Sequence, residues 1–204
     1  TEDTPVIYTA AQLLGNDTDV DNTNAQLSIA SVTSGTGGTA VLNGDGTVTF
    51  TPTLNFSGAA SFSYTTSDGT DTSLPVTVTV NVAAVNDTPV ITVPGIQSTR
   101  EGATLIFSTA NGNAISVGDP DAGLSLVEVT LTAGNGTLSL GSLAGLSFTF
   151  GSGTGDASMT FTGTLSSVNT ALNGLSLVAT SNLGGGASVQ IDVSDLGNTG
   201  SGTP

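Results

Sequence analysis

The chain has 204 residues, of which 37% are hydrophobic and 4% aromatic, with no Trp and no Cys; that is room for one large or two ordinary domains, with cores of Val, Leu, Ile and Ala and a few Phe. Sixteen acidic residues face one basic residue, Arg100, for a formal net charge of −15, a balance that nucleic acid and anionic membrane surfaces repel. Without Cys, His or Lys there are no disulfides or thiolate metal sites, and most general bases, nucleophiles and Schiff-base chemistry are gone, so the chain reads as not an enzyme.

Taken in chain order, the pattern predicts short strands joined by tight turns. Residues 26–32 supply a strand. Residues 39–42 and 47–51 flank Asn43-Gly44-Asp45-Gly46, a hairpin signal. Residues 61–65 alternate, and so do residues 76–82, with Val76, Val78, Val80 and Val82 on one face and Thr77, Thr79 and Asn81 on the other. Ser67-Asp68-Gly69-Thr70-Asp71 between them predicts a second hairpin. Strands this short and closely spaced point to a β-sandwich. High net charge with few aromatics also marks disorder, but the regular alternation and a positive mean hydropathy argue for a folded chain.

Asn86-Asp87-Thr88-Pro89-Val90 breaks the pattern, and Pro89 and Pro94 stiffen the chain there. The expected organisation is a domain over 1–85, a linker over 86–90 and a longer domain over 91–204. The landmarks then recur in order. Thr99-Arg100-Glu101-Gly102 parallels Thr1-Glu2-Asp3-Thr4, Asp119-Pro120-Asp121 parallels Asp19-Val20-Asp21, and Ser194-Asp195-Leu196-Gly197 parallels Ser67-Asp68-Gly69-Thr70. The second copy is longer, partly because of residues 164–174. Leu165, Val168, Leu172 and Leu175 recur there at helical spacing, and Asn173-Gly174 is a suitable C-cap, which predicts a short inserted helix. Nothing after Ser194-Asp195-Leu196-Gly197 resembles the alternating strand 76–82, so the second domain is expected to lack its last strand or to receive it from another chain. No targeting, membrane-spanning or lipidation signal is visible, and the chain opens on Thr1, so it is expected to be cut from a longer protein.

The acids are clustered. Asp17, Asp19 and Asp21 fall at alternate positions, as do Asp119 and Asp121. Asp45 and Asp156 fit turn chemistry, in which a carboxylate bonds its own backbone, and Glu128 and Asp192 fit solvated strand faces. Turn chemistry explains the clusters less well. Two carboxylates about 5 Å apart repel by roughly 3 kcal/mol at an effective dielectric near 20, and the chain has almost no internal countercharge. A hard cation with oxygen ligands would relieve that repulsion, and calcium takes six to eight oxygens in flexible geometry. Transition metals are disfavoured without His or Cys.

The run Asn43-Gly44-Asp45-Gly46-Thr47-Val48-Thr49-Phe50-Thr51-Pro52, then Asn55-Phe56-Ser57-Gly58, Phe62-Ser63-Tyr64-Thr65-Thr66-Ser67-Asp68-Gly69 and Val85-Asn86-Asp87-Thr88-Pro89-Val90 resembles the bacterial cadherin-like tandem repeats, also described with the VCBS-type repeats of very large secreted adhesins. The second part resembles a longer variant through Glu101, Asp119-Pro120-Asp121, Met159-Thr160-Phe161-Thr162-Gly163-Thr164, the helix and Asp195-Leu196-Gly197-Asn198. The resemblance implies an all-β chain of two tandem cadherin-like, Ig-like sandwiches, with calcium at the junction between repeats. It places Glu2 or Asp3, Asn86, Asp87, Asp119, Asp121 and Asp195 at the junction inside this chain. Asp17, Asp19, Asp21 and Asp68 would form a half-site toward an upstream repeat, and Glu101 one toward a downstream repeat. The short Asn86-Asp87 linker suggests one ion rather than three.

The resemblance further implies a calcium-binding spacer in an extracellular bacterial adhesin or surface fibre, of the kind that builds biofilm, with neighbouring repeats of the same or an identical chain as partners. The alternatives are a filament subunit joined by strand exchange, or a module for homotypic or carbohydrate contact. Sugar sites favour aromatic platforms, and Tyr8 and Tyr64 are the only tyrosines. Neither nucleic acid binding nor membrane insertion is expected.

Overall fold

A computed structural model of the chain describes residues 1–100, 103–180 and 186–197. The chain divides into two units, Thr1–Val85 and Asn86–Pro204, and both are all-β folds with little helix.

The first unit carries β1 (Val6–Tyr8), α1 (Ala10–Leu14), β2 (Ser28–Ser34), β3 (Gly38–Leu42), β4 (Val48–Pro52), β5 (Gly58–Ser67) and β6 (Val76–Val82). Two three-stranded sheets result, in the orders β1-β4-β3 and β2-β5-β6. The Asn43-Gly44-Asp45-Gly46 signal closes the β3–β4 hairpin, in register with Leu42 opposite Val48. The turn at Asp68 closes β5–β6, with Tyr64 opposite Val76. Alternation puts Ala60, Phe62 and Tyr64 of β5 and Val80 and Val82 of β6 into a core with Val48 and Phe50 of β4. The ring centroids of Phe62 and Phe50 lie 6.1 Å apart, and those of Phe62 and Tyr8 lie 5.6 Å apart.

Two local features depart from the expected pattern. Residues 24–26 form a turn of 3₁₀ helix, so β2 starts at Ser28 rather than at residue 26. The helix α1 is capped reciprocally: Thr9 Oγ1 accepts from the Gln12 N–H, and Gln12 Oε1 accepts from the Thr9 N–H. It seats Leu13 and Leu14 in the core.

The second unit carries β7 (Val90–Thr92), β8 (Thr104–Phe107), β9 (Ser116–Gly118), β10 (Leu126–Gly134), β11 (Gly136–Ser139), β12 (Ser147–Phe150), β13 (Thr154–Asp156), β14 (Ser158–Thr164), α2 (Leu165–Leu172), β15 (Leu175–Ala179) and β16 (Ser188–Ser194). Its sheets run β12-β14-β10-β16 and β13-β11-β15-β8, with β7 and β9 as a separate antiparallel pair. Val127, Val129 and Leu131 of β10, Leu138 of β11, Met159 and Phe161 of β14, and Val168 and Leu172 of α2 are all fully buried in one core.

The insertion is larger than the helix alone. It includes β12, β13 and β14, and β14 widens one sheet and supplies core side chains. The helix itself is where the spacing put it, with Thr164 as N-cap accepting from the Ser167 N–H. It ends at Leu172, however, so Leu175 belongs to β15. Gly174 turns the chain at φ +117°, which favours glycine, and its N–H donates to the Phe107 carbonyl at 2.8 Å. The counterpart of β6 is absent among the described residues: β16 ends in Ser194-Asp195 as β5 ends in Ser67-Asp68, but β16 pairs with β10 alone.

Candidate metal centre

The β7–β9 ladder assembles the acidic cluster of the second unit. Its antiparallel register sets Val90 opposite Gly118, so the residues before β7 lie beside those after β9. Asp87 thereby meets the Asp119-Pro120-Asp121 loop, and Asn86 meets Asp195. Asp119 Oδ1 accepts from the N–H groups of Asp121 and Ala122, each at 2.8 Å. Asp121 Oδ2 accepts from the Asp87 N–H at 2.6 Å. Asp195, just past β16, is 1% exposed. Its Oδ2 accepts from Asn86 Nδ2, and its Oδ1 accepts from the Gly197 N–H at 3.0 Å.

Two oxygens of this cluster, Asn86 Oδ1 and Asp119 Oδ2, are buried without a hydrogen-bond partner. Each such group costs about 1–3 kcal/mol if nothing satisfies it. The donor set is all oxygen, which suits a hard cation and no soft one. No group of three or more acidic side chains among the described residues forms a ready cation cage. The carboxylates close instead onto backbone N–H groups and the Asn86 amide.

The first unit repeats the loop chemistry. Asp19 Oδ1 accepts from the N–H groups of Asp21 and Asn22, each at 2.9 Å. Asp68 Oδ1 accepts from the Asp71 and Thr70 N–H groups, each at 2.8 Å, and these two bonds hold its pKa below the ordinary value. Asn22 joins the two loops, with Nδ2 3.0 Å from Asp68 Oδ2 and 3.2 Å from Asp19 Oδ1. The alternating-Asp motif does not single out Asn22, and its signal was the residue that follows it, Asp19-Val20-Asp21-Asn22. Asp21 is exposed. Asp17 turns toward the core, with Oδ2 3.2 Å from the Tyr64 hydroxyl, which donates to the Leu13 carbonyl at 2.8 Å. Burial, and then the Asp17 charge, raise the Tyr64 pKa.

Glu2 and Asp3 are placed differently from each other. Glu2 is 4% exposed; its Oε1 accepts from the Val85 N–H, and its Oε2 is buried without a partner. Asp3 is exposed, at φ +57°, and its Oδ1 accepts from the Asn55 N–H at 2.9 Å. It caps a turn of the first unit. Glu101 and Asn198 lie outside the described residues.

Residues 1–83 match the family model described as Cadherin-like domain. That match agrees with the all-β sheets of the first unit. No curated protein matches the chain. Among the described residues, no helix is long and apolar enough to cross a membrane.

Proposed function

We propose that this chain is a calcium-binding structural repeat module of an extracellular bacterial adhesin or surface fibre, acting as a spacer rather than as an enzyme. The observation that carries the reading is the pair of buried, unpartnered oxygens, Asn86 Oδ1 and Asp119 Oδ2, in a cluster of acids within a chain that has one basic residue. Asn86, Asp87, Asp119, Asp121 and Asp195 would hold the ion, and Asp19 and Asp68 with Asn22 are the equivalent set in the first unit. Bound calcium supplies charge neutralisation and cross-linking between loops; the chain's own loops supply oxygens already oriented by Asx turns. Asp119-Pro120-Asp121 and Asn86-Asp87 are also among the motifs by which the sequence resembles the secreted repeats.

Titration calorimetry of the full chain with calcium chloride tests this. Calcium uptake is expected, with a melting temperature that rises with ion concentration; at a hundredfold excess over Kd the gain is about 2.7 kcal/mol. Asp119→Asn combined with Asp195→Asn is expected to remove the second unit's share of the heat. No heat, and a melting curve indifferent to chelator, would sink the proposal.

A further inference from the structure

An asparagine followed by glycine can close a succinimide ring without an enzyme. The next backbone nitrogen attacks the side-chain carbonyl carbon, and glycine shields that nitrogen least and lets the chain adopt the ring. The chain has Asn-Gly steps at Asn43, Asn111, Asn135 and Asn173, and Asp-Gly steps, which close the same ring, at Asp45 and Asp68. At four of these six the attacking N–H is already bonded. The N–H of Gly46 donates to the Asn43 carbonyl at 3.0 Å, that of Gly112 to the Thr109 carbonyl at 3.1 Å and that of Gly174 to the Phe107 carbonyl at 2.8 Å. The Gly69 N–H donates to Ser67 Oγ at 3.0 Å. At a fifth, Gly136 opens β11 opposite Ala179 and is half-buried, and Asn135 Nδ2 donates to the Gly186 carbonyl at 3.0 Å.

Gly44 differs. It is exposed in the β3–β4 turn, and a Cβ at its position would meet nothing within 4 Å. Its N–H has no hydrogen-bond partner among the described residues. The restraint lies on the other reactant: Asn43 Nδ2 donates to Thr47 Oγ1 at 2.8 Å and to Thr49 Oγ1 at 2.9 Å. Ring closure expels the nitrogen that makes both bonds, so they oppose it.

We propose that Asn43 is a site of spontaneous deamidation, with the Thr47 and Thr49 hydroxyls setting its rate. The Gly44 nitrogen, its proton lost to solvent base, bonds to Asn43 Cγ. The Cγ–Nδ2 bond breaks, and the nitrogen leaves as ammonia with a proton from water. Water then opens the ring at either carbonyl, which leaves aspartate or isoaspartate at position 43. Both products place a new negative charge two residues from Asp45. Isoaspartate also adds a carbon to the main chain, inside a turn closed by the Asn43 N–H to the Thr47 carbonyl at 2.8 Å. The hairpin behind that turn carries Val48 and Phe50, both 0% exposed, into the core, so modification weakens the first unit. The proposal does not depend on calcium, since it uses none of the acids given to the ion.

The test incubates the folded full chain in mildly alkaline buffer and maps chymotryptic peptides by mass spectrometry, with electron-transfer fragmentation to tell isoaspartate from aspartate. We expect conversion at position 43 ahead of positions 111, 135 and 173, with both products present. Thr49→Val keeps the β-branched shape and removes one acceptor, so it should speed conversion about fivefold. The peptide map reads the unaltered chain and does not depend on a variant folding. The proposal is overturned if another Asn-Gly step converts first, if position 43 stays intact while a urea-unfolded sample converts there, or if Thr49→Val leaves the rate unchanged.

Discussion

Asp45, Asp119 and Asp17 are the same residue put to three uses by what surrounds them. Asp45 accepts the Thr47 hydroxyl at 2.7 Å and the Thr47 N–H at 3.0 Å, which closes a hairpin and holds its pKa low. Asp119 is tied by one oxygen and leaves the other buried without a partner. Asp17 faces a tyrosine of the core. The pH dependence of stability follows from such contacts. Asp68 and Asp156 are held below the ordinary carboxylate value, Asp68 by the Asp71 and Thr70 N–H groups and Asp156 by Ser152 first. Their stabilisation is complete above the unfolded value of about 4 and is lost as pH falls through the lower folded one. Tyr64 runs the other way: its raised folded pKa gives stability that is present below about 10 and lost as pH rises through the folded value. Denaturant melts across pH are thus expected to fall at both ends. In Tyr64→Phe the alkaline fall should be shallower, with a remainder from Tyr8, whose pKa burial also raises. An unchanged alkaline limb would refute the role given to Tyr64.

Elements were legible where a local rule suffices. Alternation placed β5 and β6, and the Asn-Gly-Asp-Gly turn placed β3 and β4, because period-two patterning and turn chemistry are properties of a few adjacent residues. The helix α1 also had such a signal, Thr9 with Gln12 three residues on, but five residues are too few for periodicity to show. Helix α2 shows the limit from the other side. Its apolar spacing continues through Leu175, yet the chain turns at Gly174 and gives Leu175 to β15, where pairing opposite Phe107 decides the matter. Its start depends on Thr164. Thr164→Ala should cost about 1 kcal/mol by urea denaturation, and Thr164→Ser much less, because the hydroxyl cap to the Ser167 N–H is kept. Equal losses for the two would mean that the methyl group matters rather than the cap.

At the scale of the molecule the net charge of −15 sets the terms. Self-repulsion of that size destabilises a compact state, and raising sodium chloride from about 10 mM to about 150 mM shortens the screening length from about 30 to about 8 Å. The melting temperature should therefore rise with salt alone. Calcium at matched ionic strength should raise it further, and a rise equal to that of sodium would reduce the ion's role to screening. The sequence by itself determined the all-β class, the repeated landmarks, the place of the helix and the acid-rich loops, all of which rest on short-range patterns and composition. Only the tertiary structure decided which acids meet. Ladder register brings Asp87 to Asp121, Asn86 reaches the buried Asp195, and Asp3 and Asp17 are drawn off to Asn55 and Tyr64. It also decided that β14 belongs to the core and that, among the described residues, β16 pairs with β10 alone. The physical reason is common to these cases: hydrogen-bond pairing and burial are settled between residues tens of positions apart, and no local period carries that information.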